Sequence, residues 1–431
     1  MTDFDHTLAP HEIRRIAADA FVFGFPLVLV DLVRRAHPVG ANQVLHLPDD
    51  AADVAPGLRD GDPRMVQSSA WIDLSSGPMV ITMPPVEGRH LTLTLIDAWG
   101  ETVPAPRANP AEGVGLVLAG PRGQTDPKLG LTVLRARTDA VWMVTRLAAD
   151  SIADREAARD LLAAQRIRPY EEPSYGSAFA PPVLEPPAKA SIEAIGNLPP
   201  EIFLHRLAVL LARHPHARVA ADLEALALIN VAPGKPYAPP PHDSKEYQAT
   251  IRGLADGLAK IKHAANPAPP AIGWRRLYSS PSPNDHLAYA AAALSGLGAA
   301  AAESILHFAC EVDDTGRPFN GAERYECRFA PGDTPPVGAF WSLSLQRRPA
   351  HGELLLHRYA LSDRDRPQPE PNGELSLRIQ HTPPSSGLAA NWLPAPLGEF
   401  ALVLRLHAPK DAALTGAWRP PPVRRLEPSA K

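Results

Sequence analysis

From Ser68 to Gly100 the chain reads SSAWIDLSSGPMVITMPPVEGRHLTLTLIDAWG, and in its run from Leu91 to Leu95 the apolar residues recur at every second position. Leu91, Leu93 and Leu95 share one face of a run ending at Asp97, and His90, Thr92 and Thr94 share the other. A period of two marks a strand with one buried face, which puts Leu93 inside and leaves Thr92 to solvent. A second run, Met79–Met83, precedes it across the turn-rich Pro84-Pro85-Val86-Glu87-Gly88. Arg89 and Asp97 carry charge onto the parity of the apolar face. There a charge must be paired, hydrated at the strand end, or functional.

The same reading extends along the chain. Residues 11–35 predict a helix with Ile13, Ile16, Ala17 and Ala20 on one side, broken or kinked near Gly24 and Pro26, and 36–67 read as loop. Further strands at Leu116–Ala119, Leu131–Arg135 and Ala140–Arg146, punctuated by Gly and Pro, make 68–147 a small β-sandwich. Ser151 to Asp154 has the spacing of a capping box and opens a helix to about Gln165. A Pro-rich connector, 168–191, leads to helices. One has the stripe Ile202, Phe203, Leu207, Leu210 and Leu211. Another, 244–262, has Tyr247, Ile251, Leu254, Leu258 and Ile261 in steps of four and three. Gly253 and Gly257 within it point to close helix packing. An Ala-rich helix at 284–306 follows. From His307 the period returns to two, with strands at 307–312, 324–329, 339–346, 353–360, 375–381 and 400–407, which read as a jelly-roll sandwich. The fold class is mainly β with a helical insert. Its parts are 1–67 (helix and loop), 68–167 (β), 168–306 (connector and helices) and 307–431 (β).

Composition narrows the classes. A chain of 431 residues exceeds one ordinary core. With 45% hydrophobic and 21% charged residues it reads as soluble and globular. A formal charge of -4 argues against a nucleic-acid binder. The N-terminal MTDFDHTLAPHEIRR lacks a basic region before an apolar run, so no secretory signal is expected. The apolar stretch Phe21–Val30 is too short to span a bilayer. Cys310 and Cys327 exclude a disulfide framework and read as reduced thiols that could face each other across a hairpin, which suits the cytoplasm.

The sequence contains no Gly-rich phosphate loop, no HExxH, no G-x-S-x-G and no Cys/His metal spacing, so no cofactor or metal is expected. His205, His214 and His216 read as surface residues, Asp313-Asp314 as a hairpin turn, and Asp363 to Arg366 as a solvated loop. What remains is a set of polar groups near the ends of apolar strand faces: Arg89 and Asp97, Arg146 after Trp142 and Val144, His381 after Leu375, Leu377 and Ile379, and Asn391-Trp392 ahead of the strand at Phe400. If they converge, they could serve acid–base work or hold an anion. Structural pairs such as Arg89 with Asp97 would look the same.

Several of these runs resemble one bacterial family. FGFPLVLVD at 23–31, SSAWIDLSSGP at 68–78, GRHLTLTLIDAW at 88–99 and VWMVTR at 141–146 resemble domain of unknown function 1254. FNGAERY at 319–325, PPVGAFWSLSL at 335–345, RYALSDR at 358–364, IQH at 379–381, NWLPAPLGEF at 391–400 and WRPPPV at 418–423 resemble its companion, domain of unknown function 1214. The resemblance implies an immunoglobulin-like sandwich, a helical insert and a C-terminal jelly roll. Asp97, Arg146, Trp341, His381, Asn391 and Trp392 match the family pattern. Elsewhere the chain departs from it. The family's usual Asn-x-Asp-Thr-Leu-Tyr is replaced by a run holding Asp62, Arg64, Met65, Val66 and Gln67. Its Tyr after Gly-Arg is His90, its Tyr-Asp after the F-W-S motif is Gln346-Arg347, and a frequent helical Arg is Tyr289.

Two classes of function follow. In one, an enzyme or degenerate enzyme acts on a small polar or anionic molecule in a cleft between the β domains. Asp97 and His381 would be the acid–base groups, Arg89, Arg146 and Asn391 would bind substrate, and Trp341 and Trp392 would form walls. In the other, the chain is a non-catalytic scaffold that binds a small molecule or a protein. Neither a nucleic acid nor a membrane is an expected partner, and a homo-oligomer is compatible with both.

Overall fold

The computed structural model describes residues 8–47, 62, 64–105, 111–125, 131–151, 153–170, 195, 198–215, 220–266, 270, 272–277, 285–347, 355–384 and 388–427. Most of the Pro-rich connector lies outside them. In chain order the elements begin with α1 (Pro10–Arg35), β1 (Leu45–His46), β2 (Met65–Asp73), β3 (Met79–Met83), β4 (Leu91–Asp97), β5 (Val114–Ala119), β6 (Thr132–Arg135), β7 (Ala140–Ala148), α2 (Asp154–Ala163) and β8 (Arg166–Pro169). Next come α3 (Pro200–Arg213), α4 (Ala220–Ala227), α5 (Lys245–Ala265), β9 (Arg275–Leu277) and α6 (His286–Gly296). The chain then continues through β10 (Ile305–Cys310), β11 (Tyr325–Phe329), β12 (Val337–Arg347), β13 (Leu355–Ser362), β14 (Leu375–Gln380), β15 (Trp392–Pro394), β16 (Phe400–Pro409), α7 (Asp411–Leu414) and β17 (Val423–Arg425). The protein is mainly β with helical parts.

The strands form four sheets. Sheets β1-β2-β7-β4 and β6-β5-β3-β8 enclose a core that includes Ile72, Ile81, Leu91, Leu95, Leu118 and Met143. Sheets β13-β12-β16-β10-β9 and β15-β14-β11-β17 enclose another, with Phe319, Tyr325, Trp341, Leu377 and Leu404. Cys310 and Cys327 are free, buried thiols in that second core. Pairing is antiparallel except between β5 and β6 and between β14 and β15. The first β unit is wider than the 68–147 expected, because β1 and the start of β2 add to one sheet and β8 to the other.

The expected break in α1 does not occur. Pro26 removes a helical N–H, which in a helix interior costs roughly 3 kcal/mol or more. Here every residue from Ala20 to Val33 is buried, so tertiary packing on all sides keeps the helix continuous past Pro26. Gly24 makes room, since a Cβ there would come 2.8 Å from the methyls of Leu207 on α3. By length and composition α1 could cross a membrane, yet 94% of that stretch is buried inside the fold. It is the central helix of a layer in which α3, α4, α5 and α6 share one core with it.

That core also takes in Trp71, Ile96, Trp142 and Val144, which lie on the outer face of the β1-β2-β7-β4 sheet. Helices therefore cover one end of this face. The second β unit covers the other end, where Met65 and Ala148 pack on Phe340 of β12. The polar side of β4 is consequently not left to solvent. Thr92 is only 5% exposed, while Leu93 on the expected inner side is partly buried.

Candidate functional site: a buried polar layer between two β units

Where the two outer sheet faces meet, the alternating pattern places polar side chains. On the first sheet, Arg146 of β7 is flanked in register by Gln67 of β2 and Thr92 of β4, with Thr94 one step along. On the second, Arg405 of β16 is flanked by Ser342 of β12 and His307 of β10, with Ser344 and Gln346 further along β12 and His407 further along β16. All of these side chains are buried, Arg146 and Arg405 to 1% exposure. Burying a guanidinium without partners costs several kcal/mol, and both have them. Arg146 donates to Thr94 Oγ1 at 3.3 Å and to the Gly298 carbonyl, and Arg405 donates to Ser344 Oγ at 2.6 Å.

Asp62 is the carboxylate of the layer. Its Oδ2 accepts from His407 Nε2 and from Ser342 Oγ, both at 2.8 Å, and its Oδ1 accepts from the Arg64 N–H at 2.9 Å. Burial pushes its pKa upward. The His407 hydrogen bond and the charge of Arg405 outweigh that and hold it well below the usual carboxylate range. Because Asp62 stays ionised, the proton between the two groups sits on His407 Nε2. Phe340 stacks on the His407 ring at 4.0 Å and 8°, and His90 meets that ring edge-on at 5.5 Å. The carboxylate thus orients an imidazole, and the imidazole is the group able to move a proton. Ser342 points its hydroxyl at Asp62 rather than at the imidazole, so the three do not form a nucleophile–base relay.

Thr92 Oγ1 and Gln346 Oε1, on residues 5% and 7% exposed, have no hydrogen-bond partner among the described residues. A buried polar atom left this way costs on the order of 1–3 kcal/mol. At the rim, ion pairs join the units. Arg64 pairs with Asp365 and Arg364 with Asp150, while the Arg364 guanidinium lies 4.3 Å from the centre of the Phe340 ring. The charge run at 363–366, expected as a solvated loop, is therefore a clasp over the layer.

Of the residues singled out in the sequence, Arg146 lies in the layer and Arg89 at its margin. Arg89 does not pair with Asp97. Its guanidinium makes a two-pronged bond to Asp154 at 2.5 Å and holds that carboxyl down at about 2. Asp97 closes the turn after β4, with Oδ1 accepting from the N–H groups of Trp99 and Glu101 and Oδ2 lying 3.4 Å from Arg137. His381 is exposed, with Nδ1 bonded to the Ala395 carbonyl of its own unit at 2.9 Å. Asp97 and His381 share no partner. Asn391 ties Gln368 to the Ser376 carbonyl, Trp392 donates to the Gln380 carbonyl, and Trp341 sits in the second core, so these three serve their own unit. His214, expected at the surface, is buried, and burial first, then Arg213, lowers its pKa to about 4. His216 lies outside the described residues.

The sequence reading missed Asp62, Ser342, Ser344, Arg405 and His407. A signal was present in β16, where Ala401 and Val403 alternate with Leu402 and Leu404 and make both faces apolar. Arg405 and His407 on such a strand had to be buried. Among the described residues, no three His, Cys, Asp or Glu side chains gather as metal ligands would.

Fold and site together define a two-unit β protein, with helices packed on its first sheet and a buried, charged layer between its β units. The chain belongs to the two-domain family in which these units occur together. Residues 41–169 match the family described as "Protein of unknown function (DUF1254)", and 304–411 match "Protein of unknown function (DUF1214)". The crystal structure of the VPA0106 protein from Vibrio parahaemolyticus is similar, with a TM-score of 0.71 at 17% identity, covering 96% of this chain and 100% of that one. An uncharacterized protein from Burkholderia cenocepacia aligns over 96% of this chain and 94% of its own, with a TM-score of 0.44 at 12% identity. Among curated proteins none matches. Asp62, Arg64, Gln67, His90 and Gln346, which the sequence reading set apart from the family pattern, lie in the polar layer or at its edge.

Proposed function

We propose that the layer between the two β units binds a small polar, anionic molecule, with His407 oriented by Asp62 as the group that exchanges a proton with it. The reading places an immunoglobulin-like sandwich on one side and a jelly roll on the other, supported by a pair of sheets around each core. The observation that carries it is the pair of buried, unsatisfied oxygens, Thr92 Oγ1 and Gln346 Oε1, one from each unit, in a layer that also holds two guanidiniums. A site that converges polar groups at a domain junction is where a small ligand is most often held. Arg146 and Arg405 supply the charge for an anion, the Thr92 hydroxyl can donate to it, and the Gln346 carbonyl oxygen can accept from a hydroxyl or N–H elsewhere on the same molecule.

Calorimetric titration of the full chain with small mono- and dicarboxylates, phosphate and the corresponding neutral amides tests this. An anion is expected to bind, its neutral amide at least tenfold more weakly, and Thr92→Val, which removes the hydroxyl donor, is expected to weaken the anion at least tenfold. No binding across the set, or binding that ignores both charge and Thr92, would overturn the proposal. The rim ion pairs favour a second reading, a non-catalytic scaffold that holds its ligand without turning it over. In that case the anion binds and the pH profile of any conversion is flat.

A further inference from the structure

The helical layer encloses a cavity of about 350 Å³ between α1, α4, α5 and α6, and no residue of the polar layer lines it. Its volume falls at the lower end of the range of small-molecule sites, roughly 300–1,000 Å³. The inner wall is apolar. Ile16, Ala20 and Phe23 of α1 face Leu226 of α4 and Leu287 of α6, and the edge of the His286 ring meets Phe23 at 5.3 Å. The mouth is charged. Asp19 lies 3.5 Å from Arg15 and 3.6 Å from Lys260, so one carboxylate faces two cations at the limit of hydrogen-bond reach. Across the opening, His286 Nε2 is 3.3 Å from Asp222 Oδ1, which gives that carboxylate a partner of its own. Leu228 at the edge is 58% exposed and extends the apolar wall outward.

We infer that this cavity binds a small amphipathic carboxylate. The apolar body would fill the space between Phe23 and Leu226, and the head would sit beside the exposed Arg15 and Lys260, which share the Asp19 carboxylate. An ionised head bound by two cations at the mouth of an apolar pocket keeps partial hydration, so it avoids the desolvation that a buried charge suffers. A cationic head would meet Arg15 and Lys260 with like charge.

Octanoate and octanol serve as probes of equal chain length, titrated into the full chain by calorimetry. Octanoate is expected to bind at least tenfold more tightly than octanol. Lys260→Gln, a change at a half-exposed side chain, is expected to remove most of that difference. Ala225→Trp, on the exposed edge of α4, is expected to abolish binding of both probes by occluding the opening, with its melting curve as the folding control. If that variant does not fold, the octanoate-to-octanol ratio in Lys260→Gln decides. Absence of octanoate binding, equal affinity for octanol, or a ratio unchanged by Lys260→Gln would overturn the inference.

Discussion

Asp97 has no exposed surface, and the turn it closes accounts for its position. Burial raises its pKa to about 6, against the opposing pull of the Glu101 N–H and of Arg137. Between the ordinary value of 3.8 and about 6, the folded state therefore holds a proton that the unfolded state has released. Stability from this group is full below about 3.8 and is lost as the pH rises through 6. Asp97→Asn keeps an oxygen for the Trp99 and Glu101 N–H groups but cannot ionise. At pH 7.5 it is expected to equal or exceed the wild type, by up to about 3 kcal/mol, and at pH 4 the advantage disappears. Urea unfolding at the two pH values checks this, and an equal pH dependence in both proteins would refute it. The oddity of a charge on the parity of Leu91, Leu93 and Leu95 was legible in the sequence, but its partner was not. Arg89 and Arg137 are equally plausible by position. Only the course of the chain after β4 brings Arg137 to Asp97 and leaves Arg89 for Asp154.

Packing between α1 and α5 rests on glycine. A Cβ at Gly253 would come 2.3 Å from the Arg14 carbonyl oxygen, and one at Gly257 would come 2.7 Å from that of Ala18. Both contacts are with backbone, which cannot rotate aside. In an exposed helix Gly→Ala gains about 1 kcal/mol. Gly253→Ala is expected instead to cost about 2 kcal/mol or more through forced separation of the helices, read as a lower melting temperature. A rise would show that the helices can part freely. The stripe Tyr247, Ile251, Leu254 and Leu258 made α5 legible, and its two glycines pointed to close packing. The continuity of α1 was not legible, because Pro26 is a local penalty and the burial that offsets it is a property of five helices together.

Alternation gave the strands their two faces but could not say what covers the second one. His90, Thr92 and Thr94, and likewise Ser342, Ser344 and Gln346, follow the pattern of solvent-facing positions, yet none is exposed, and His90 meets His407 and Ser342 bonds Asp62 across the junction of the two β units. The family resemblance carried both units. Between the β units lies a buried polar layer built around Arg146, Arg405, Asp62 and His407, and Asp97 and His381, expected to face each other across a cleft there, are not among its residues. Its central claim is that Thr92 Oγ1 and Gln346 Oε1 are held for a ligand and not for the fold. The direct measurement is the urea unfolding midpoint of ligand-free Thr92→Val and Gln346→Met beside the wild type. Removing a buried polar atom that has no partner is expected to leave the midpoint unchanged or raise it. A loss of about 1 kcal/mol or more in each variant would mean that these atoms hold the fold, and would contradict the account.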